Sequence, residues 1–168
     1  MRPINVSVAD VNQQRRAAME HVLQQDRQNF SVLIDVLSRQ SERVIERRLK
    51  SRKNITLIED NLARINRLEP KVLFVNVQLF LDADCMFFVL LRRQCPEILV
   101  ILLTEETTKE NEILQALASG VCGFVSHKSN LVELLKATKA VEHGEAWVPR
   151  KLLGKIMRKI LVTSHKTP

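Results

Sequence analysis

The 168-residue chain has no tyrosine, a single tryptophan and six phenylalanines, and nowhere do eighteen apolar residues follow one another. A membrane-spanning helix needs about 20 such residues, so no span is expected. The N-terminus has no secretory apolar core, which argues against export. Cysteine is scarce as well: Cys85, Cys95 and Cys122 are odd in number, far apart and without ligand spacing. That fits reduced thiols in the cytoplasm rather than a disulfide framework, and no metal or other cofactor is expected. His21, His143 and His165 belong to no constellation, and no Ser–His–Asp, Cys–His or paired-carboxylate arrangement marks an enzyme. What is present has globular proportions, 45% apolar and 27% charged, which rules out wholesale disorder. The length fits one domain.

The net charge of +7 is unevenly spread. Residues 39–53 hold seven basic and two acidic groups, a net +5, and residues 150–168 hold six basic groups and no acid. The other 134 residues therefore carry −4. The body is mildly acidic and bears two basic appendages.

Two kinds of segment alternate along the chain. Ile4 to Ala9, Phe30 to Val36, Val72 to Val77, Ile98 to Leu103 and Val121 to Ser126 are short β-branched or apolar runs, three of them nearly continuous. Such runs predict central strands covered on both faces. Between them, Val11, Ala18, Met19, Val22 and Leu23 form one helical stripe, and Leu131, Leu134, Leu135, Thr138 and Val141 another. Gly120, Gly144 and the Cys95–Pro96 step fall where helices should stop. The alternation predicts an α/β fold, a doubly wound five-stranded parallel sheet, whose working site lies at the carboxyl ends of the strands. Asp10, Val11, Asn76, Thr104, His127 and Lys128 stand at those ends.

The strand ends carry a pattern that resembles a response-regulator receiver domain, of the kind preceding LuxR-type helix-turn-helix domains. The resemblance rests on INVSVADVNQQRRAAMEHVL near the N-terminus, ILVILLT ending at Thr104, ALASGVCGFVSHK at 116–128 and HGEAWVPR at 143–150. It implies a flavodoxin-like sheet over residues 1–148, interrupted by a helical insertion at about 37–55. An amphipathic helix and short tip follow at 149–168.

The family's chemistry is phosphoryl transfer to an aspartate at the end of the third strand, with further carboxylates holding Mg²⁺ and a hydroxyl and an ammonium stabilising the transferred group. By resemblance Asp10 matches the first acidic-pocket residue, Thr104 the hydroxyl, Phe124 the aromatic switch and His127 the lysine position, with Lys128 one step further. The second acid falls on Val11 and the phosphoacceptor on Asn76. An amide is a poor nucleophile, and one carboxylate among neutral groups holds Mg²⁺ weakly. The resemblance thus implies the receiver fold without the receiver's reaction. Asp10 is expected to accept hydrogen bonds from loop amides or Lys128, Thr104 and Phe124 to be accommodated structurally, and His127 to be solvated rather than a pH switch.

In the helix expected over 85–96, Phe87, Phe88 and Leu91 match buried positions, whereas Met86, Val89 and Leu90 add a second apolar face. That face is expected to be covered either by Val44, Ile45 and Leu49 of the insertion or by another subunit. In the tail, Leu152, Leu153, Ile156, Met157, Ile160 and Leu161 recur at helical spacing opposite Lys151, Lys155, Arg158 and Lys159. This stripe either packs back on the domain or pairs with a second copy; its length and lack of aromatics disfavour a membrane. Twenty residues are too few for a helix-turn-helix domain, which needs roughly three times as many. The expected function is a phosphorylation-independent regulatory module that meets protein partners or itself through Met86, Val89 and Leu90, or through Leu153, Met157 and Ile160. The alternatives are the receiver portion of a longer DNA-binding regulator, or nucleic-acid binding by Arg43, Arg47, Arg48, Lys50, Arg52 and Lys53 with Lys155, Arg158 and Lys159. Both basic segments lack aromatics for base stacking.

Overall fold

In a computed structural model of the protein, residues 2–34 and 53–164 are described. Five strands, β1 (Ile4–Ala9), β2 (Phe30–Val32), β3 (Val72–Asn76), β4 (Leu99–Thr104) and β5 (Gly123–Ser126), form one sheet. Its order is β2-β1-β3-β4-β5 and every pairing is parallel. Parallel strands require crossovers, and these are helical. Among the described residues they are α1 (Gln13–Gln24), α2 (Lys53–Leu68), α3 (Val77–Leu81) with a 3₁₀ turn (Asp82–Cys85) and α4 (Met86–Gln94), and α5 (Glu110–Ala118); α6 (Leu131–Glu142) and α7 (Arg150–Ser164) follow the last strand.

The expected doubly wound fold is what these residues form. One face of the sheet packs Ala9, Leu73, Val75, Val100 and Leu102 against Ile58, Leu62 and Ile65 of α2, Leu79 and Phe80 of α3, Phe87, Phe88 and Leu91 of α4, and Ala116 of α5. The other packs Val6, Val8, Phe74, Ile101 and Leu103 against Met19 and Leu23 of α1 and Leu134, Ala137 and Val141 of α6. Burial on alternate faces explains why β3, in the middle, is apolar until its last residue, Asn76. The helix stops also hold: Gly120 and Gly144 take positive φ after α5 and α6, and α4 ends at Gln94 before the Cys95–Pro96 step.

Several element boundaries differ from expectation, and β4 runs Leu99–Thr104 rather than Ile98–Leu103. The second strand ends at Val32, before Leu33 and Ile34, with the expected residues 35–36 outside the described residues, and the strand expected to begin at Val121 begins at Gly123. Val77 opens α3 instead of ending β3, because the Asn76 side chain accepts the Gln78 N–H at 2.9 Å and caps a helix immediately. The single helix expected over 85–96 is really α4 preceded by a separate turn: Asp84 and Cys85 both adopt left-handed backbone, which breaks the path from α3. The insertion residues Val44, Ile45 and Leu49 lie outside the described residues; residues 53–55, expected in the insertion, belong to α2.

Beyond the sheet, Trp147 pairs alongside β5. Its N–H donates to the Cys122 carbonyl and its carbonyl accepts from Phe124 N, both at 3.1 Å. Gly123 permits this approach, since a Cβ there would lie 2.7 Å from the Trp147 Cβ and carbonyl oxygen.

Candidate functional site

The carboxyl ends of β1, β3 and β4 converge on one cluster. Asp10, following β1, is almost fully buried, its side chain 1% exposed. Its Oδ1 accepts from the Asn12 backbone N–H at 2.8 Å. Arg15 grips it in bidentate fashion, Nε to Oδ2 at 2.6 Å and Nη2 to Oδ1 at 2.6 Å. Asn12 caps α1 by accepting the Arg15 N–H at 3.0 Å, which places Arg15 in the first helical turn. Side chains there lean toward the helix N-terminus, so the guanidinium reaches back over the strand end.

The other edge of that guanidinium meets β4. Its Nη1 donates to Glu105 Oε1 at 2.7 Å, and Nη2 lies 3.3 Å from Gln78 Oε1. Gln78 Nε2 donates in turn to Glu105 Oε2 at 2.9 Å, and Asn76 Nδ2 approaches Glu105 Oε1 at 3.4 Å. The Asp10 carboxylate bonded to it, and the charge of Glu105, hold the Arg15 pKa above its ordinary value against the opposing effect of burial.

Asn76 is fully buried and its amide is engaged at both ends, Oδ1 by the helix cap and Nδ2 by Glu105. The Thr104 hydroxyl donates to the Val125 carbonyl at 3.2 Å. His127 closes on the end of β4 twice: its N–H donates to the Thr104 carbonyl at 2.9 Å and its Nδ1 lies 3.0 Å from the same oxygen. Lys128 pairs with Glu106 on the exposed surface, and that contact pulls the Glu106 carboxyl below its usual range.

No known family profile matches the chain, and no curated protein matches it. Solved structures do. The isolated receiver domain of RcsB from Salmonella enterica serovar Typhimurium, in the presence of phosphomimetic BeF₃⁻, aligns over 92% of this chain and 98% of its own, with TM-score 0.58 and 17% identity. The signal receiver domain of the putative response regulator NarL from Mycobacterium tuberculosis aligns over 86% and 100%, with TM-score 0.60 and 16% identity. A structure of two RcsB dimers bound to two parallel DNAs aligns over 94% of this chain and 69% of its own, with TM-score 0.59 and 17% identity.

The fold is that of a response-regulator receiver domain. Receiver chemistry calls for Mg²⁺, and the residues present do not fit it. That small ion demands several oxygens in octahedral array, typically from one or two carboxylates with phosphate and water. Here Val11 and Asn76 supply no carboxylate, and the oxygens of Asp10 and Glu105 are already bonded to Arg15, Asn12 and Gln78. Among the described residues no three His, Cys, Asp or Glu side chains converge as a metal site.

Of the strand-end residues singled out in the sequence, Asp10 and Asn76 belong to this one cluster, Asp10 through Arg15 and Asn76 through Glu105. Thr104, His127 and Lys128 are directed to neighbouring backbone or to Glu106, and Phe124 is half-buried against the α2–α5 face of the core. Of the two partners expected for Asp10, the loop amide is present as the Asn12 N–H, whereas Lys128 turns outward to Glu106 and Arg15 takes the charged role. Sequence reasoning missed Arg15, Gln78 and Glu105. The available signal was a basic residue in the first turn of a helix, where the helix dipole opposes positive charge, just past a buried strand-end acid.

The interface candidates lie on the surface. Met86 is 47% and Val89 51% exposed, whereas Leu90 is half-buried against the core rather than joining them on an open face. Among the described side chains of α7, Leu152 is buried and Ile156 half-buried, whereas Leu153, Met157, Ile160, Leu161 and Val162 are exposed. The tail stripe therefore does not pack back on the domain along its length. Its polar side touches the body where Lys155 Nζ donates to Glu110 at 2.8 and 3.0 Å. Arg43, Arg47, Arg48, Lys50 and Arg52 lie outside the described residues, and Lys53 opens α2. No helix among the described residues is long and apolar enough to cross a membrane.

Proposed function

We propose that this chain is a receiver-like regulatory module that works through protein contacts, without phosphorylation, and that it self-associates. Asn76 carries the proposal. By resemblance it stands at the phosphoacceptor position, where an amide offers no nucleophilic oxygen comparable to a carboxylate. Its two polar atoms already serve the fold, one as the cap of α3 and one toward Glu105. The position has a structural use that needs no chemistry. With the phosphoryl switch unavailable, output must come from surfaces that are permanently presented. The α7 stripe is such a surface: Leu153, Met157 and Ile160 are spaced four and three residues apart, the spacing of a coiled-coil seam. A second copy presenting the same seam is the natural occupant. Cytoplasmic location accords with this role.

Intact-mass measurement of the protein incubated with acetyl phosphate and Mg²⁺ tests the chemistry. An unchanged mass is expected, and a stoichiometric phosphoryl adduct would defeat the proposal.

A second reading is favoured by one observation, the run of basic residues on α7, where Arg150, Lys151 and Arg158 are exposed and no acid is present. It is nucleic-acid binding, as in the RcsB dimers bound to DNA. A mobility shift that weakens steeply with salt, and weakens again when Lys151 and Arg158 become alanine, would promote it.

A further inference from the structure

The pocket at the strand ends already holds a cation of the chain's own, which offsets one of its two carboxylate charges. Asp10 and Glu105 bring two carboxylates, Gln78 and Asn76 are uncharged, and the Arg15 guanidinium lies between them with four contacts of 2.6 to 3.3 Å. We propose that Arg15 is the resident cation of this pocket, standing where a divalent ion would sit and closing the site to metals.

Three physical points support this. Both oxygens of Asp10 are taken, Oδ2 by Nε and Oδ1 by Nη2 and the Asn12 amide, so a metal could enter only by displacing a bidentate, charge-assisted pair. Arginine does not deprotonate in proteins, so no physiological pH change releases it. The guanidinium also ties together residues from three separate segments, Asp10 after β1, Gln78 in α3 and Glu105 after β4. In an ion-dependent pocket these segments would be joined by the bound ligand. Here a covalent part of the chain joins them, so the carboxyl edge of the sheet is tied together without a bound ligand. The inference uses the receiver-like reading to locate the pocket, but it does not depend on Asn76 being inert.

Thermal unfolding of the full chain in MnCl₂ and in NaCl of equal ionic strength tests it, using wild type, Arg15→Gln and Arg15→Lys. Mn²⁺ is a suitable probe because it prefers oxygen ligands. The wild-type midpoint should be the same in both salts. Arg15→Gln should unfold several degrees lower in NaCl and recover part of the loss in MnCl₂, as the vacated carboxylates accept the ion. Arg15→Lys, which keeps a cation, should not respond to Mn²⁺. A manganese-specific rise in the wild type, or a folded Arg15→Gln that ignores the metal, overturns the inference. Should Arg15→Gln fail to fold, the other two proteins decide, and a manganese-specific rise in either overturns it.

Asn76→Asp separates this inference from the proposed function. With Arg15 in place, that variant should remain unlabelled by acetyl phosphate and Mg²⁺. Labelling of Asn76→Asp would overturn the resident-cation inference and leave the reading of the native chain standing. Labelling of the native chain would strike the proposed function instead.

Discussion

At the scale of single residues, the informative positions are those where a polar group is buried for a reason. Asn76 caps α3 while fully enclosed, and Arg15 holds a buried carboxylate from the first turn of α1, against the dipole of its own helix. That dipole term is worth about 0.3–1 kcal/mol, whereas leaving a buried charge without its partner costs about 3–5 kcal/mol. The carboxylates therefore win, even after discounting for the partial exposure of Arg15. Asn76→Ala should lose the α3 cap, which is worth about 0.5–2 kcal/mol. Urea denaturation should show a lower midpoint with an unchanged slope, because the native surface is retained. A midpoint equal to wild type would mean that the cap contributes nothing and that Asn76 is retained for another purpose.

At the scale of elements, the sheet and the helix stops at Gly120, Gly144 and Cys95–Pro96 were legible, and the break between α3 and α4 was not. Val72 to Val75 and Leu99 to Leu103 are apolar because both faces of the sheet are covered, so those runs announce themselves. The turn between α3 and α4 carries no such signal: it depends on left-handed backbone at Asp84 and Cys85, residues that also fit helices. The pocket was half legible for a similar reason. Asp10 and Asn76 sit at strand ends, where topology directs attention. Glu105 and Gln78 reach Arg15 across sequence separations of 90 and 63 residues, which no local pattern records. The same holds for Arg64 of α2, buried at 2% exposure, whose guanidinium donates to the Val8 carbonyl of β1 and to Asn61 Oδ1 and lies 3.9 Å from Glu20 of α1. The Trp147 pairing alongside β5 yields the clearest element-scale prediction. A methyl at Gly123 would collide with backbone rather than with a flexible tip, so Gly123→Ala should displace the 147 segment and cost about 1–3 kcal/mol. Trp147 is the sole tryptophan, so its fluorescence reports the displacement directly, as a red shift on exposure. An unshifted spectrum with unchanged stability would show that the close approach relaxes freely.

At the scale of the whole molecule, charge and apolar surface are separated from the enclosed core. The sequence locates its excess positive charge in residues 39–53 and 150–168, and the second of these is largely α7, whose apolar stripe faces outward. On the proposed reading, a receiver fold whose pocket is occupied by Arg15 and whose α7 stripe is exposed presents its contacts without a chemical trigger. Light scattering before and after treatment with acetyl phosphate and Mg²⁺ tests that claim most directly. The account predicts a dimer in both conditions and a monomer for the Met157→Glu, Ile160→Glu double variant. A wild-type monomer at high concentration, or a dimer that forms only after the phosphodonor is added, would contradict it.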